Sequence, residues 1–211
     1  MQILWFDSLP STQTYLKEQL KTSELKSPIA VVAELQTDGI GSRGNSWTGL
    51  FGNLFFSFAI SRHNLPSDLL LESASIYFSY LLKEVLEEEG SHLWLKWPND
   101  FYLENTKIGG VITFMRGNDL ICGMGLNLLH APEGFEHLDI EIDKKELLDK
   151  FFKKIENKPL WKQVFSKFKV EFGKSKQHKT TVASNKISLN EAKLNDDGSL
   201  SINGERIYSL R

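Results

Sequence analysis

Cysteine is nearly missing. Cys122 is the only one in 211 residues, so no internal disulfide can form, and the chain reads as a protein of a reducing compartment. Long apolar runs are missing too: none approaches the roughly 18 residues that a membrane span needs. The N-terminal MQILWFDSLP has neither the basic start nor the apolar core of a signal peptide. Net charge is close to absent, −2 from 25 basic and 27 acidic residues. That removes a global basic field for non-specific DNA or RNA binding. No internal repeat or low-complexity tract occurs. These absences lead to the expectation of a cytoplasmic protein that works without DNA or membrane. What is present suits a folded chain. Hydrophobic residues make up 41% and charged residues 25%, and the length fits one domain with an appendage or two small domains.

Periodicity and punctuation give the elements. Ser11-Thr12 precede QTYLKEQLK, a short capped helix. Ile29 to Leu35 reads as a buried strand. Asn53 to Ile60 alternates, with Leu54, Phe56, Phe58 and Ile60 on one face of a strand. Ser67 to Glu89 carries apolar residues at helical spacing, and Gly90 ends it. His92 to Trp97 predicts a strand stopped by Pro98. Lys107 to Met115 and Leu120 to Leu129 predict a hairpin around Arg116-Gly117-Asn118-Asp119. Asp143 to Glu156 and Pro159 to Phe172 read as amphipathic helices. Residues 173–179 (GKSKQHK) read as a polar linker, and residues 180–211 as short strands broken by turn residues. About 35 residues are too few to stand alone, so this β module should dock on the rest.

Gln36 to Trp47 (QTDGIGSRGNSW) holds Gly39, Gly41 and Gly44 at G-x-G-x-x-G spacing. A dinucleotide fingerprint requires a helix after the glycines and an acidic residue about 20 positions on. NSWTGLFGN follows instead, and the Walker spacing is missing as well. Yet five of the 15 glycines fall between residues 39 and 52. Glycine permits positive φ and close backbone approach, and Arg43 adds a permanent cation. The loop suits either an anion-wrapping role or a solvent-exposed turn.

A second cluster is KWPNDFYLENTKIGG, residues 96–110. Lys96 and Trp97 end a strand, Asn99-Asp100 sit in the turn that Pro98 forces, and Lys107 starts the next strand before Gly109-Gly110. Paired glycines weaken a strand and often mark close approach by a ligand. A solvated lysine, a turn-forming Asp100 and a core Trp97 are the plain alternatives. A third element, GMGLNL at 123–128, places Asn127 after two glycines, as in a bulge.

Together these motifs resemble the biotin protein ligases. The family pattern runs S-T-N, Q-x-x-G-R-G-R-x-G-R-x-W, G-x-N-L-x-x-S, K-W-P-N-D, K-x-x-G-I-L and G-I-G-I-N. Here the counterparts are Ser11-Thr12-Gln13, Gln36 to Trp47, Gly52 to Ser57, Lys96 to Asp100, Lys107 to Ile112 and Gly123 to Asn127. The resemblance covers residues 11–128. It departs in the loop, where Ile40, Ser42 and Asn45 take three arginine positions and only Arg43 remains. Some members also carry an N-terminal helix-turn-helix that represses biotin genes. This sequence opens on the ligase pattern, so that activity is expected to be absent.

The resemblance implies an α+β fold of the class II aminoacyl-tRNA synthetase and biotin ligase kind. A mixed central sheet with helices would occupy residues 1–172 and a small all-β module residues 173–211. It implies an ATP-dependent ligase that makes biotinyl-5′-AMP and passes biotin to a lysine of biotin carboxyl carrier protein, with Mg²⁺ held mainly by the ATP phosphates. Lys107, Arg43 and Asp100 would be catalytic. Ser11, Thr12, Gln36, Gly39, Gly41, Trp47, Lys107 and Gly110 would bind biotin, with Trp97 also lining the apolar pocket. Arg43, Lys96, Asn99, Lys107 and Asn127 would bind ATP. Asp100 is left with two roles, orienting the incoming lysine or joining the metal site. Two other readings are a lipoate ligase-like enzyme and a non-catalytic biotin-binding module.

Overall fold

The computed structural model describes residues 1–182 and 185–208, and for Arg43 the backbone alone. The roles expected of the Arg43 side chain therefore lie outside the described residues.

Strands β1 (Gln2–Leu9), β2 (Ile29–Gln36), β5 (Leu54–Ser61), β6 (Trp94–Lys96), β7 (Asp100–Leu103), β8 (Thr106–Arg116) and β9 (Asp119–Leu126) form one sheet. Its order is β1-β2-β5-β9-β8-β7-β6. Only β1 and β2 run parallel, and every other neighbouring pair is antiparallel. Between β2 and β5 lies a two-stranded hairpin, β3 (Gly39–Ile40) with β4 (Ser46–Trp47). No helix follows the glycines beyond one 3₁₀ turn at Ser42–Gly44, which removes the dinucleotide reading.

Helices cover both faces. α1 (Thr12–Lys21) places Leu16 and Leu20 against Val31, Ala33, Ala59 and Ile121. α2 (Ala74–Glu88), α3 (Lys144–Glu156) and α4 (Trp161–Ser175) cover the other face. There Phe58 meets Phe78 edge-on at 5.1 Å, and Phe56 meets Phe151 at 5.8 Å. Burial on two faces explains why β5 carries apolar residues on both faces: Leu54, Phe56, Phe58 and Ile60 are buried on one, and Phe55 and Ala59 on the other.

Local chemistry sets the ends. Ser11 is the N-cap of α1, accepting from the Thr14 N–H at 3.4 Å, and Asp143 caps α3. α2 starts at Ala74 rather than Ser67, because a 3₁₀ turn at Leu71–Ser73 occupies the start of the expected span. The acidic end of α2 is answered by α3: Lys150 pairs with Glu89 at 2.6 Å and Lys154 with Glu88 at 2.7 Å. β8 and β9 join through Gly117-Asn118, with Gly117 at φ +56. β9 stops at Leu126, three residues before the expected end.

Residues 173–179 are not a linker along their whole length. α4 continues through Ser175, which is buried and accepts the Trp97 N–H at 3.0 Å. The β module follows as β10 (Lys179–Val182) paired with β11 (Asn185–Ser188), then β12 (Lys193–Leu194), β13 (Leu200–Ile202) and β14 (Glu205–Ile207). It docks as expected. Trp97 Nε1 donates to the Gly198 carbonyl at 2.8 Å and Trp161 Nε1 to that of Asp196 at 2.9 Å. Leu189, Leu200 and Ile202 share the buried cluster of the large sheet. No described helix is long and apolar enough to cross a membrane.

Candidate active site

A cleft opens where the start of α1, the end of β2, the β3–β4 hairpin and the middles of β8 and β9 meet. Its two ends differ in chemistry.

One end is built of neutral hydrogen-bonding groups. Gln36 Oε1 accepts from the Thr12 N–H at 2.8 Å and from Thr12 Oγ1 at 3.1 Å. Thr12 Oγ1 also lies 2.9 Å from Ser57 Oγ. An amide oxygen only accepts, so the Thr12 proton goes to Gln36, and Ser57 must donate to Thr12. Gln36 is thereby held by its oxygen, and its NH₂ is the end without a bonded partner among the described residues. Ser11 orders this corner by capping α1. Trp47 closes the side: an ideal Cβ on Gly125 would meet its ring at 2.9 Å, so the glycine admits the indole. Trp47 Nε1 is buried with no partner among the described residues.

The other end is cationic. The tight β6–β7 hairpin sets Lys96 opposite Asp100, and β7–β8 pairing sets Asp100 opposite Gly110. Asp100 gives Oδ1 to Lys107 Nζ at 2.6 Å and Oδ2 to Lys96 Nζ at 3.1 Å. Burial pushes the Asp100 carboxyl up, but Lys107 and then Lys96 outweigh it and hold it below the usual aspartate range. Burial likewise lowers the Lys96 ammonium, and Asp100 and Tyr102 reverse that to a net rise. Asp100 is therefore ionised at neutral pH and poorly suited to act as a base. The glycine pair divides its work. A Cβ on Gly109 would meet the Gly125 carbonyl at 2.7 Å, a strand-packing limit. A Cβ on Gly110 would sit 3.4 Å from both Asp100 Oδ1 and Lys107 Nζ, in the site itself.

Ser11, Thr12, Gln36, Gly41, Trp47, Asn99, Asp100, Lys107 and Gly110 all line this cleft. Lys96 lines a polar cleft that adjoins it and shares Ser42, Asn99, Asp100 and Lys107. Three expected residues fall elsewhere. Gly39 does not line the cleft; it pairs with Trp47, whose carbonyl lies 2.4 Å from an ideal Cβ, so its missing side chain serves strand approach. Trp97 is core, tied to Gly198, and not a pocket wall. Asn127 lines a separate pocket with Trp47 and Phe135, and its Nδ2 donates to the Glu136 carbonyl at 3.1 Å. Asp100 begins a strand, where a turn was expected. Two residues were missed. Ser57 is the polar break in an apolar strand, and Gln13 is 5% exposed at the cleft without a side-chain partner among the described residues.

The chain does not build a metal cage here. Among the described residues no three His, Cys, Asp or Glu side chains group together, and both Asp100 oxygens are taken by lysines.

The chain belongs to the Biotin/lipoate A/B protein ligase family, which it matches over residues 5–127, more than half its length. Its fold is similar to that of the biotin acetyl coenzyme A carboxylase synthetase of Helicobacter pylori, solved with bound biotinylated ATP. The TM-score is 0.94 and the identity 43%, with 98% of this chain and 99% of that chain covered. It is also similar to the biotin protein ligase of Aquifex aeolicus in complex with biotin and ATP, with TM-score 0.78, 25% identity, and 100% and 96% coverage. The bifunctional ligase/repressor BirA of Escherichia coli is 32% identical over 127 residues, 57% of this chain and 38% of that protein. This chain thus spans well under two thirds of the length of such curated relatives.

Proposed function

We propose that this chain is an ATP-dependent biotin–[acetyl-CoA-carboxylase] ligase. It joins biotin and ATP into biotinyl-5′-AMP and transfers the biotinyl group to one lysine of biotin carboxyl carrier protein, in the cytoplasm. In this reading residues 1–172 form the ligase unit and residues 173–211 a docked β module. The observation that carries it is the position of Lys107, which lines both the amide-walled cleft and the cationic one.

Two anions must meet in the first half-reaction, the biotin carboxylate and the α-phosphate. Lys107 at the join supplies a fixed cation where their charges meet. Asp100 bridges Lys107 and Lys96 and fixes both Nζ atoms in place. Lys96 and Arg43 take phosphate oxygens. Thr12, Gln36 and the capped Ser11 take the ureido head of biotin, a neutral donor–acceptor group for which an unpaired partner would be costly. Trp47 covers the apolar part, and Gly41 and Gly110 give room. Asn99 faces the nucleotide. Asn127 belongs to the pocket beside Trp47 and Phe135, where aromatic walls suit the base. Mg²⁺ enters with the nucleotide, on the phosphates, as part of the substrate.

Incubation with ATP, Mg²⁺, biotin and a carrier domain should add one biotinyl mass to one carrier lysine. Lipoate in place of biotin should add nothing. Labelling by lipoate alone would move the chain to the other branch of its family. Binding of biotin without any turnover would make it a binding module.

A further inference from the structure

The cationic cleft is closed on one side by the β module. Lys179 and Thr180, at the start of β10, line it together with Lys96, Lys107, Ser42 and Asn45. The position of Lys179 is fixed by its neighbour. The His178 ring lies 5.2 Å from both the Trp94 and Tyr102 rings, on the same β6–β7 hairpin that carries Lys96 and Asp100. The His178 carbonyl accepts the Leu189 N–H at 3.0 Å, which ties the spot to the body of the module. Thr180 is buried, so the chain leaves this anchor in a set direction.

Charge sharpens the case. Lys144, Lys150, Lys154 and Lys167 each hold a carboxylate. Lys179 is exposed and, among the described residues, has no carboxylate within ion-pair distance. Lys96 and Lys107 share one compensating carboxylate, so the sheet contributes a single net positive charge, and Lys179 doubles it. The loop positions facing the same cleft, Ser42 and Asn45, are uncharged.

We propose that Lys179 binds the terminal phosphates of ATP and the departing pyrophosphate, so that the β module supplies a cation where the glycine loop places the uncharged Ser42 and Asn45. This deepens the ligase reading and rests on it. In the activation step a biotin carboxylate oxygen bonds to the α-phosphorus. The bond from that phosphorus to the oxygen bridging to the β-phosphate breaks, and pyrophosphate leaves with the electron pair. No proton moves. Negative charge gathers on the leaving group, where Lys179 stands. The transfer step carries no pyrophosphate and does not use Lys179.

The test compares the two half-reactions in the full chain. Lys179→Ala should raise the KM for ATP and for pyrophosphate in biotin-dependent exchange by about ten-fold or more, the usual worth of a charge-assisted hydrogen bond. Transfer from added biotinyl-5′-AMP to the carrier should stay within about two-fold of the unaltered chain. Lys179→Arg should keep most of the exchange, and Ser42→Arg in the Lys179→Ala background should restore part of it. Unchanged KM values in Lys179→Ala would overturn the assignment. Equal loss in both half-reactions would overturn it too, since it would mark a structural defect. An unaltered chain that shows no biotin-dependent exchange would instead overturn the ligase reading, and that failure is visible before any variant is made.

Discussion

Lys107 Nζ lies 2.6 Å from Asp100 Oδ1, across the pairing of β7 with β8. The contact joins the two ends of the 96–110 cluster into one device. It holds Lys107 Nζ in place and partly desolvated, with 28% of the side chain exposed. Such a group is ready for an anion without reorganisation, which is what electrostatic stabilisation of a transition state requires.

Lys107→Ala should therefore abolish adenylate formation while the fold persists, because Asp100 keeps Lys96 as a partner. The expected loss in biotin-dependent exchange rate is about 10²–10³-fold. A variant with unchanged thermal unfolding that retains more than about a tenth of the exchange rate would remove Lys107 from the chemistry.

The same carboxylate sets a pH dependence. Its folded value is depressed, so its pairing stabilises the protein above the ordinary aspartate value of about 3.9 and is lost as pH falls through the lower folded value. Asp100→Asn removes the charge at every pH. The urea midpoint of the unaltered chain should exceed that of Asp100→Asn near pH 6, and the gap should close as pH falls below about 3.9. A gap of constant size from pH 6 down to pH 3 would mean that the ion pairs are not what Asp100 contributes.

Gly125→Ala tests the Trp47 wall. The new methyl would fall 2.9–3.2 Å from three ring atoms, closer than real contacts allow, so the indole must shift. Trp47 is the far end of a side chain on a short hairpin and can move, so stability should change little. Biotin binding should weaken by about ten-fold or more, the scale of a hydrophobic wall misplaced by a methyl group. Calorimetry that finds unaltered biotin affinity would show that the ring is not part of the biotin surface.

The sequence revealed most of this site because its motifs lie where backbone constraint and chemistry coincide. Lys96, Asp100 and Lys107 are legible as charges beside turn residues and paired glycines. Gly39 and Trp97 look identical to site residues in one dimension, yet one serves strand approach and the other anchors Gly198. Only three-dimensional pairing separates such cases. Strand β1 was invisible for a different reason. It is a parallel edge strand with most positions half exposed or exposed, so it has neither the alternation of a one-sided strand nor the apolar run of a buried one. Gln13 hides because a polar residue near the start of a helix normally faces water. The end of α4 hides because Gly173 and the lysines around it imitate a linker, while Ser175 is buried under Trp97.

The glycine loop that first suggested a nucleotide fingerprint is held by very little. Gly39 pairs with Trp47 and Ile40 with Ser46, and the Gly41 N–H donates to the Asn45 carbonyl at 2.7 Å. A hairpin this short is marginal alone, and each residue it orders costs roughly 1–2 kcal/mol of backbone entropy. Ligand contacts to Gly41, Ser42 and Trp47 in the cleft would tip that balance toward the closed form. Closure would then shield the mixed anhydride from water until the carrier lysine arrives. The bond after Arg43 is a trypsin site, and Gly44 beside it sits at φ +77. Limited trypsin digestion without ligand should cut there early. With biotin and ATP, or with a non-hydrolysable adenylate analogue, that cut should slow markedly. Cutting after Lys26, exposed in the turn between α1 and β2, should proceed at the same rate in both states and serves as the control. Equal rates after Arg43 with and without ligand would mean that the loop closes independently of its substrates, and its glycines would then answer only to the packing of Trp47.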